Sequence, residues 1–399
     1  MRGLLTSIIL PLAISGGAYG QSDPPPSALQ DQKNSGAIGP PLPDGNPAKV
    51  DTGSVPIASK SKNPNKTEYF IAPVPFKSPA IGNGLAVRLG AIFRIDRKDL
   101  LSPPSMFAIG GIKSSNGTKG AFTGGRFFLK EDQYRVTVGL GDTDANYTFY
   151  GVGDRPNPVE FDLTQKVRGG IFKFQTKVAP NLYGGFRYLG GRSLLSSDSD
   201  LFPSIPAAEV KTTFGALAAI AEVDSADSQF YPTSGQKASL QADFHAPSLG
   251  DSFEYQAYQA SYQTYHSLST GDAPKDRRII ALSGTAITTY GRAPFYGLPG
   301  IGGQDNLRGY VAGKYIDRSL VSAQAEFRQK LSHRFGFAVF GGASIVGGSF
   351  GALSTGNLKP AVGLGIRYRL TKETPMNYRI DYAVGKDGGY LYFSIGEAF

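Results

Sequence analysis

From Leu320 to Phe399 the chain alternates apolar and polar residues, and this pattern constrains its fold more than any other feature. In Ser322–Leu331 the odd positions carry Ala323, Ala325 and Phe327, while Gln324, Glu326, Arg328 and Lys330 hold the even ones. Phe335, Phe337, Val339, Ala343 and Ile345 then share one side of the next segment. Val362, Leu364, Ile366, Tyr368 and Leu370 oppose Gly363, Gly365, Arg367 and Arg369, and Tyr378, Ile380 and Tyr382 oppose Asn377, Arg379 and Asp381. A last strand is expected over Tyr390–Phe399, ending on an aromatic residue. Successive side chains of a strand point to opposite faces, so each segment has one greasy and one charged face.

The pattern extends upstream. Leu85, Val87, Leu89, Ala91, Phe93 and Ile95 alternate with Arg88, Gly90 and Arg94. Tyr134, Val136, Val138 and Leu140 alternate with Arg135, Thr137 and Gly139, and Ala238, Leu240, Ala242 and Phe244 with Lys237, Ser239, Gln241 and Asp243. In Phe253–His266 the phase slips near Ala257-Tyr258, which reads as a bulge. Segments between Thr67 and Phe399 number about sixteen, an even count as bacterial barrels have. A soluble sheet of that length would leave long unprotected edges. The apolar faces are nearly free of charge, as they must be if Lys or Arg at mid-bilayer costs about 2–4 kcal/mol. These facts predict an all-β fold: a transmembrane antiparallel β-barrel over residues 67–399.

The N-terminus points the same way. Arg2, the apolar run Leu4–Ile14 and Ala18-Tyr19-Gly20 make a cleavable export signal over residues 1–20, too short to span a bilayer. Residues 21–66 are rich in Pro, Ser, Asn and Gly, have neither strand nor helix period, and read as a disordered periplasmic leader. An exported chain with 0 Cys has no disulfide framework. Its 52 Gly, 21 Tyr and 25 Phe with only 40% hydrophobic residues suit strands wet on one side. With 0 Trp, tyrosine must supply the interfacial girdle. The net charge of +9 comes without a Lys/Arg run or a nucleic-acid module, so it is assigned to the barrel interior and rims, and no nucleic-acid partner is expected.

Catalytic and cofactor chemistry has no footprint. His245, His266 and His333 are far apart and lack ligand spacing, so they read as polar strand-end or loop residues, and no metal or cofactor is expected. There is no Gly-x-Ser-x-Gly elbow. Gly297, Gly300, Gly302 and Gly303 lack the following Lys and helix of a phosphate cradle, so loop flexibility accounts for them. The expectation is that the protein is not an enzyme.

Three stretches resemble the BamA/TamA-type outer-membrane barrel superfamily, also called the bacterial surface antigen domain. They are Phe230-Tyr231-Pro232-Thr233-Ser234-Gly235, then Leu307-Arg308-Gly309-Tyr310 in a Gly-rich loop from Arg292 to about Arg318, and the ending Tyr392–Phe399. The resemblance implies that this sixth extracellular loop folds into the lumen. There Arg308, with Gly309 and Tyr310, would lodge against inward carboxylates, a geometry that suits bidentate arginine. Alternation places Glu326 and Asp381 on that inner face. The family's usual second carboxylate position is Gly342 here, so Asp381 is the expected replacement. Gly396 and Phe399 would belong to the terminal assembly signal.

The resemblance implies residence in the outer membrane of a Gram-negative bacterium. It also implies contact with lipid and lipopolysaccharide, delivery by the barrel-assembly machinery, and insertion or translocation of unfolded polypeptide through a weak seam between first and last strands. Protein-inserting members carry periplasmic polypeptide-transport-associated domains, and residues 21–66 are too short and too polar to fold as one. The alternative is a passive channel or structural barrel, with Arg367, Arg369, Arg379 and the other inner arginines Arg88, Arg94, Arg135 and Arg328 making the lumen anion-leaning.

Overall fold

The computed structural model describes residues 66–78, 81–153, 160–270, 274, 277–302, 306–371 and 375–399. The expected export signal, nearly all of the leader, and Gly303 in the long loop lie outside the described residues. The strands are β1 (Glu68–Ser78), β2 (Gly82–Phe93), β3 (Ser105–Ser114), β4 (Lys119–Leu129), β5 (Tyr134–Phe149), β6 (Phe161–Ala179) and β7 (Leu182–Ser196). They continue as β8 (Lys211–Asp224), β9 (Gly235–His245), β10 (Tyr255–Ser267), β11 (Arg278–Gly291), β12 (Gly300–Ile301), β13 (Tyr315–Ile316) and β14 (Ser319–Lys330). The last four are β15 (Phe335–Gly347), β16 (Lys359–Arg369), β17 (Asn377–Gly385) and β18 (Gly388–Ile395). All except β12 and β13, which form a two-stranded ribbon inside the long loop, join one closed antiparallel barrel of 16 strands in chain order.

Alternation fixes which face is which. On β14, Val321, Ala323 and Ala325 are exposed while Ser322, Gln324, Glu326 and Arg328 are buried, the inverse of a soluble protein. Leu85, Val87, Leu89, Leu140, Val339, Val362, Leu364 and Ile366 are among the exposed outward residues. Such a belt is stable only against hydrocarbon or a partner, because contiguous apolar surface in water is unfavourable. The interior is a polar core with apolar patches. One patch, made by Phe70, Ala72, Val74, Ile92, Met106 and Ala108 of β1–β3, receives Phe230 from the β8–β9 turn.

Two expectations need correction. The phase slip in β10 is not a bulge: Tyr255 to Ser267 pairs without interruption with β11, and Tyr255 to Tyr265 with β9. Its inner row ends in tyrosines because both ends meet other inner groups. Tyr255 stacks on His245 at 3.8 Å, and Tyr265 packs with Phe399. The register shift falls in β6 instead, between Lys177 and Ala179. The terminal strand stops at Ile395, not Phe399. Gly396 takes φ +86°, a left-handed value glycine adopts without strain, and turns the chain inward. Phe399 is then buried beside Tyr265 and Ala281 of the inner face.

The ring closes unevenly. β17 and β18 pair along the whole run from Tyr378–Ile395 to Gly385–Gly388, whereas β1 meets β18 at Lys77–Leu391. The Pro73 carbonyl accepts a hydrogen bond from the Tyr378 hydroxyl of β17 at 3.3 Å, so this residue faces the seam. The N–H and C=O of one strand residue point to the same side, so Pro75, two residues on, faces the seam as well. Neither proline has an N–H to offer β18. Proline in a sheet is confined to such edge positions.

Candidate functional site

Eleven barrel strands precede the long loop and five follow it, and its middle reaches the inner wall of β14–β18. Leu307 and Tyr310 are buried with Ile301, Ile287, Leu320 and Val346, which anchors the loop by apolar contact. Hydrogen bonds complete the anchor. The Asn306 carbonyl accepts from Ser322 Oγ at 2.7 Å and Gln324 Nε2 at 2.6 Å, and the Gly309 amide donates to the Tyr392 hydroxyl at 2.8 Å. The Tyr310 hydroxyl donates to the Pro360 carbonyl at 2.7 Å. Gly309 has φ +104°, and a Cβ there would lie 3.0 Å from Ala361 Cβ, so both backbone and space demand glycine.

This anchor aims Arg308 at two carboxylates. Its Nη1 donates to Asp381 Oδ2 at 2.6 Å, and its Nη2 lies 2.7 Å from Glu326 Oε2, close but not aligned as a hydrogen bond. The guanidinium also lies over the Phe340 ring, 3.4 Å from its centroid. The guanidinium plane can stack on an aromatic face while its edge binds carboxylates, which lysine cannot do. Room comes from glycine at inner positions of β16. Phe340 lies over Gly363, and Asp381 leans over Gly365. A side chain at Gly342 would collide with the Ala323 carbonyl and Gln324, so the carboxylate comes from β17.

Neighbouring arginines extend the pair into a buried network. Arg367 meets Asp381 at 2.6 Å, Glu326 at 3.1 Å and Glu397 at 2.7 Å. Arg328 meets Glu326 at 2.8 Å and Glu397 at 3.6 Å, and its Nη2 donates to the Phe399 carbonyl at 2.6 Å. Arg379 lies 3.2 Å from Asp381. The network therefore ties the long loop, three strands and residues 397–399 together.

Other expected residues lie elsewhere. Arg369 is half-buried at the opposite mouth, outside this network. Arg135 belongs to a second cluster, with Asp132 at 2.6 Å, Asp224 at 2.9 Å and Glu222 at 3.3 Å, and Lys173 also binds Glu222 at 3.0 Å. Arg88 is buried near the Phe122 ring. Arg94 is not on the inner wall: it lies just past β2, and Nη1 donates to the Asp99 carbonyl at 2.9 Å. His245 is buried with Nδ1 2.8 Å from Asp251 Oδ2, and His266 Nε2 lies 3.0 Å from the Thr264 hydroxyl. Sequence reasoning did not single out Phe340, Tyr392 or Glu397 for the network. The signal available was the inner-row glycine pair Gly363/Gly365, which leaves space that something must fill.

Residues 207–399 match the family described as the Omp85 superfamily domain. The span contains every residue of the Arg308 network. Solved structures give the same architecture. BamA from Haemophilus ducreyi lacking POTRA domains 1–3 aligns with TM-score 0.54 at 13% identity, covering 83% of this chain and 69% of that one. CdiB from Acinetobacter baumannii aligns with TM-score 0.56 at 10% identity, covering 83% of this chain and 60% of that one. At these identities the likeness is one of fold. No curated protein sequence matches significantly. Strands β1–β7 precede the Omp85 match, and they complete the same barrel.

Proposed function

We propose that this protein is an outer-membrane barrel that inserts or translocates polypeptides, working at the junction of β1 and β18. The observation that carries the reading is the seam itself. Two prolines deprive β1 of donors towards β18, and the strands meet at Lys77–Leu391. An edge with unpaired backbone groups is a template for another strand, and strand addition gains main-chain hydrogen bonds. The Omp85 match and the resemblance to BamA and CdiB in fold support the same reading.

In this reading the export signal delivers the chain to the periplasm and the barrel-assembly machinery inserts it. The outward belt then meets lipid and lipopolysaccharide. Arg308, Gly309 and Tyr310 with Glu326 and Asp381 act as a lock that holds the long loop against the inner wall of β14–β18. That keeps β14–β18 rigid beside a seam that opens. A passive anion channel is the second reading, prompted by the inner arginines. It has less support because Arg135, Arg328, Arg367 and Arg379 all meet carboxylates.

The test is reconstitution. Liposomes carrying the protein are expected to accelerate folding of a urea-unfolded outer-membrane barrel relative to empty liposomes. Steady conductance in planar bilayers with no change in that folding rate would overturn the proposal in favour of the channel.

A further inference from the structure

The outer face of β6–β8 carries four cations that neither the Arg308 network nor the seam uses. On β6 the outward row runs Phe174, Phe172 and Gly170, and then Arg168 and Lys166 stand exposed. On β7 it runs Phe186, Tyr188 and Gly190 and then reaches exposed Arg192, and on β8 it ends at exposed Lys211. Cations are costly at mid-bilayer, so the apolar belt ends where they begin. The connection after β7 touches the long loop, the Phe295 amide donating to Glu209 at 3.1 Å, so the four lie at the mouth that holds that loop.

Strand register brings them together. Arg168 and Arg192 are directly opposite each other, where side chains start about 5 Å apart, and Lys166 and Lys211 flank Leu194 in the next row outward. Like charges directly opposite destabilise a sheet unless an anion lies between them. Asp142 on β5 relieves Arg168, whose Nε donates to Asp142 Oδ2 at 2.8 Å. Asp144, opposite Lys166, lies 3.5 Å from Lys119 instead, and Asp162 accepts from Thr148 at 2.8 Å. Lys166, Arg192 and Lys211 form no ion pair among the described residues. Just inside the cations the outward face has glycine on three adjacent strands, Gly170 opposite Gly190 and Gly190 opposite Gly215. Leu140 leans over Gly170, and the Tyr188 ring lies over Gly190 with its hydroxyl donating to the Leu249 carbonyl at 3.1 Å. A low apolar floor therefore lies directly beneath a cationic rim.

We infer that this patch binds a phosphorylated glycolipid of the outer leaflet, its phosphates on Arg168, Arg192, Lys166 and Lys211 and its acyl chains over the Tyr188 floor. Charge and position carry the inference. Guanidinium groups bind phosphate through paired N–H donors, lysine binds it as a point charge, and basic clusters at a membrane boundary select anionic headgroups. Four cations in two rows, offset by the one carboxylate of Asp142, exceed the single charge of a phospholipid diester. A glycolipid with two phosphate groups matches them. The inference rests on the proposed reading that the belt meets lipid with the long loop at the cell surface, and it is independent of polypeptide insertion. Such binding must weaken with salt, because the rim is exposed.

The experiment uses the full-length protein in detergent, titrated with diphosphoryl lipid A and read by native mass spectrometry. The expected result is saturable retention of the lipid that its dephosphorylated form does not show, weakening as ionic strength rises. The R192Q/K211Q double variant should weaken retention at least tenfold, and K166Q/R192Q should weaken it similarly. Lys113→Gln removes an exposed outward cation from β3, away from the patch, and should bind like the parent. Retained gel mobility of the folded band reports that each variant still folds. Equal retention of the dephosphorylated lipid, equal displacement by phosphatidylglycerol, or unchanged binding by the folded rim variants would overturn the inference. Displacement by an equal concentration of inorganic phosphate would overturn it too, by assigning the rim to free phosphate. A protein that enters liposomes and accelerates barrel folding there but retains no lipid A would sink this inference alone, so its failure is separate from failure of the proposed function.

Discussion

Replacing Glu326 by Gln leaves four buried guanidiniums, Arg308, Arg328, Arg367 and Arg379, facing two carboxylates, Asp381 and Glu397. Replacing Arg308 by Gln leaves three guanidiniums facing three carboxylates in the same network. Breaking a buried ion pair typically costs about 3–5 kcal/mol because an uncompensated charge remains in the interior. Glu326→Gln should incur that full cost, since Arg308, Arg328 and Arg367 each lose a shared anion. Arg308→Gln removes two carboxylate contacts and the stacking on Phe340, but every remaining guanidinium and carboxylate keeps a partner of opposite charge. Its expected cost is about 1–2 kcal/mol, mostly the lost cation–π contact in a desolvated site. The double variant should cost less than the two single losses added, because the groups share partners. The assay is urea unfolding in lipid vesicles, followed by the heat-dependent gel shift of the folded band. Limited proteolysis should show the long loop more accessible in Arg308→Gln than in the parent. A loss for Arg308→Gln equal to or greater than that for Glu326→Gln would refute the charge-balance reasoning.

Other substitutions probe separate parts of the account. P73V/P75V restores two donors towards β18 on lipid-facing positions and should stabilise the barrel by about 1–3 kcal/mol in total, at about 0.5–1.5 per backbone hydrogen bond. It should also slow the proposed insertion activity, and an unchanged unfolding midpoint would show that the donors do not face the seam. Gly365→Ala pushes a Cβ into Asp381 and Arg367, so a loss of about 1–3 kcal/mol is expected from the unfolding midpoint. In the turn after β2, partial burial pushes the Asp99 carboxyl up, but hydrogen bonds from Ser102 Oγ and the Ser102, Glu131 and Leu101 amides outweigh it and hold it below the ordinary aspartate value. A lowered folded pKa contributes stability that is present above the unfolded value of about 3.9 and lost as pH falls through the folded one. Asp99→Asn should therefore flatten the acid limb of the stability profile below about pH 4, measured by unfolding at a series of pH values.

The barrel was legible because its strands repeat one rule. In β14 the polar row from Ser322 to Lys330 is continuous, and in β16 and β17 the outward row from Val362 to Tyr368 and from Tyr378 to Val384 is apolar throughout, so inner and outer faces separate by inspection. β10 resisted because Tyr255 and Tyr265 are inner residues that pack on other inner groups, His245 and Phe399. An apolar residue facing an occupied lumen breaks the alternation without breaking the ladder. The ending misled for a related reason. Ser394 to Phe399 can be read as a continued strand, and only the positive φ of Gly396 shows the chain leaving the sheet. In the network, Glu326 and Asp381 could be placed on the inner face by strand parity, whereas Arg308 was named by the resemblance. Phe340 could not, because an aromatic on the polar row makes sense only once Arg308 is seen stacked on it. The seam was suggested by resemblance alone, and the roles of Pro73 and Pro75 emerged from the direction of one carbonyl.

The central claim is that polypeptide handling requires β1 and β18 to part, and a reversible cross-link tests it most directly. Lys77 and Leu391 are paired positions, and the chain has 0 Cys, so K77C/L391C introduces the one thiol pair. Accelerated folding of an added barrel should disappear when the variant is oxidised and return on reduction. Full acceleration with the seam quantitatively cross-linked would contradict the account.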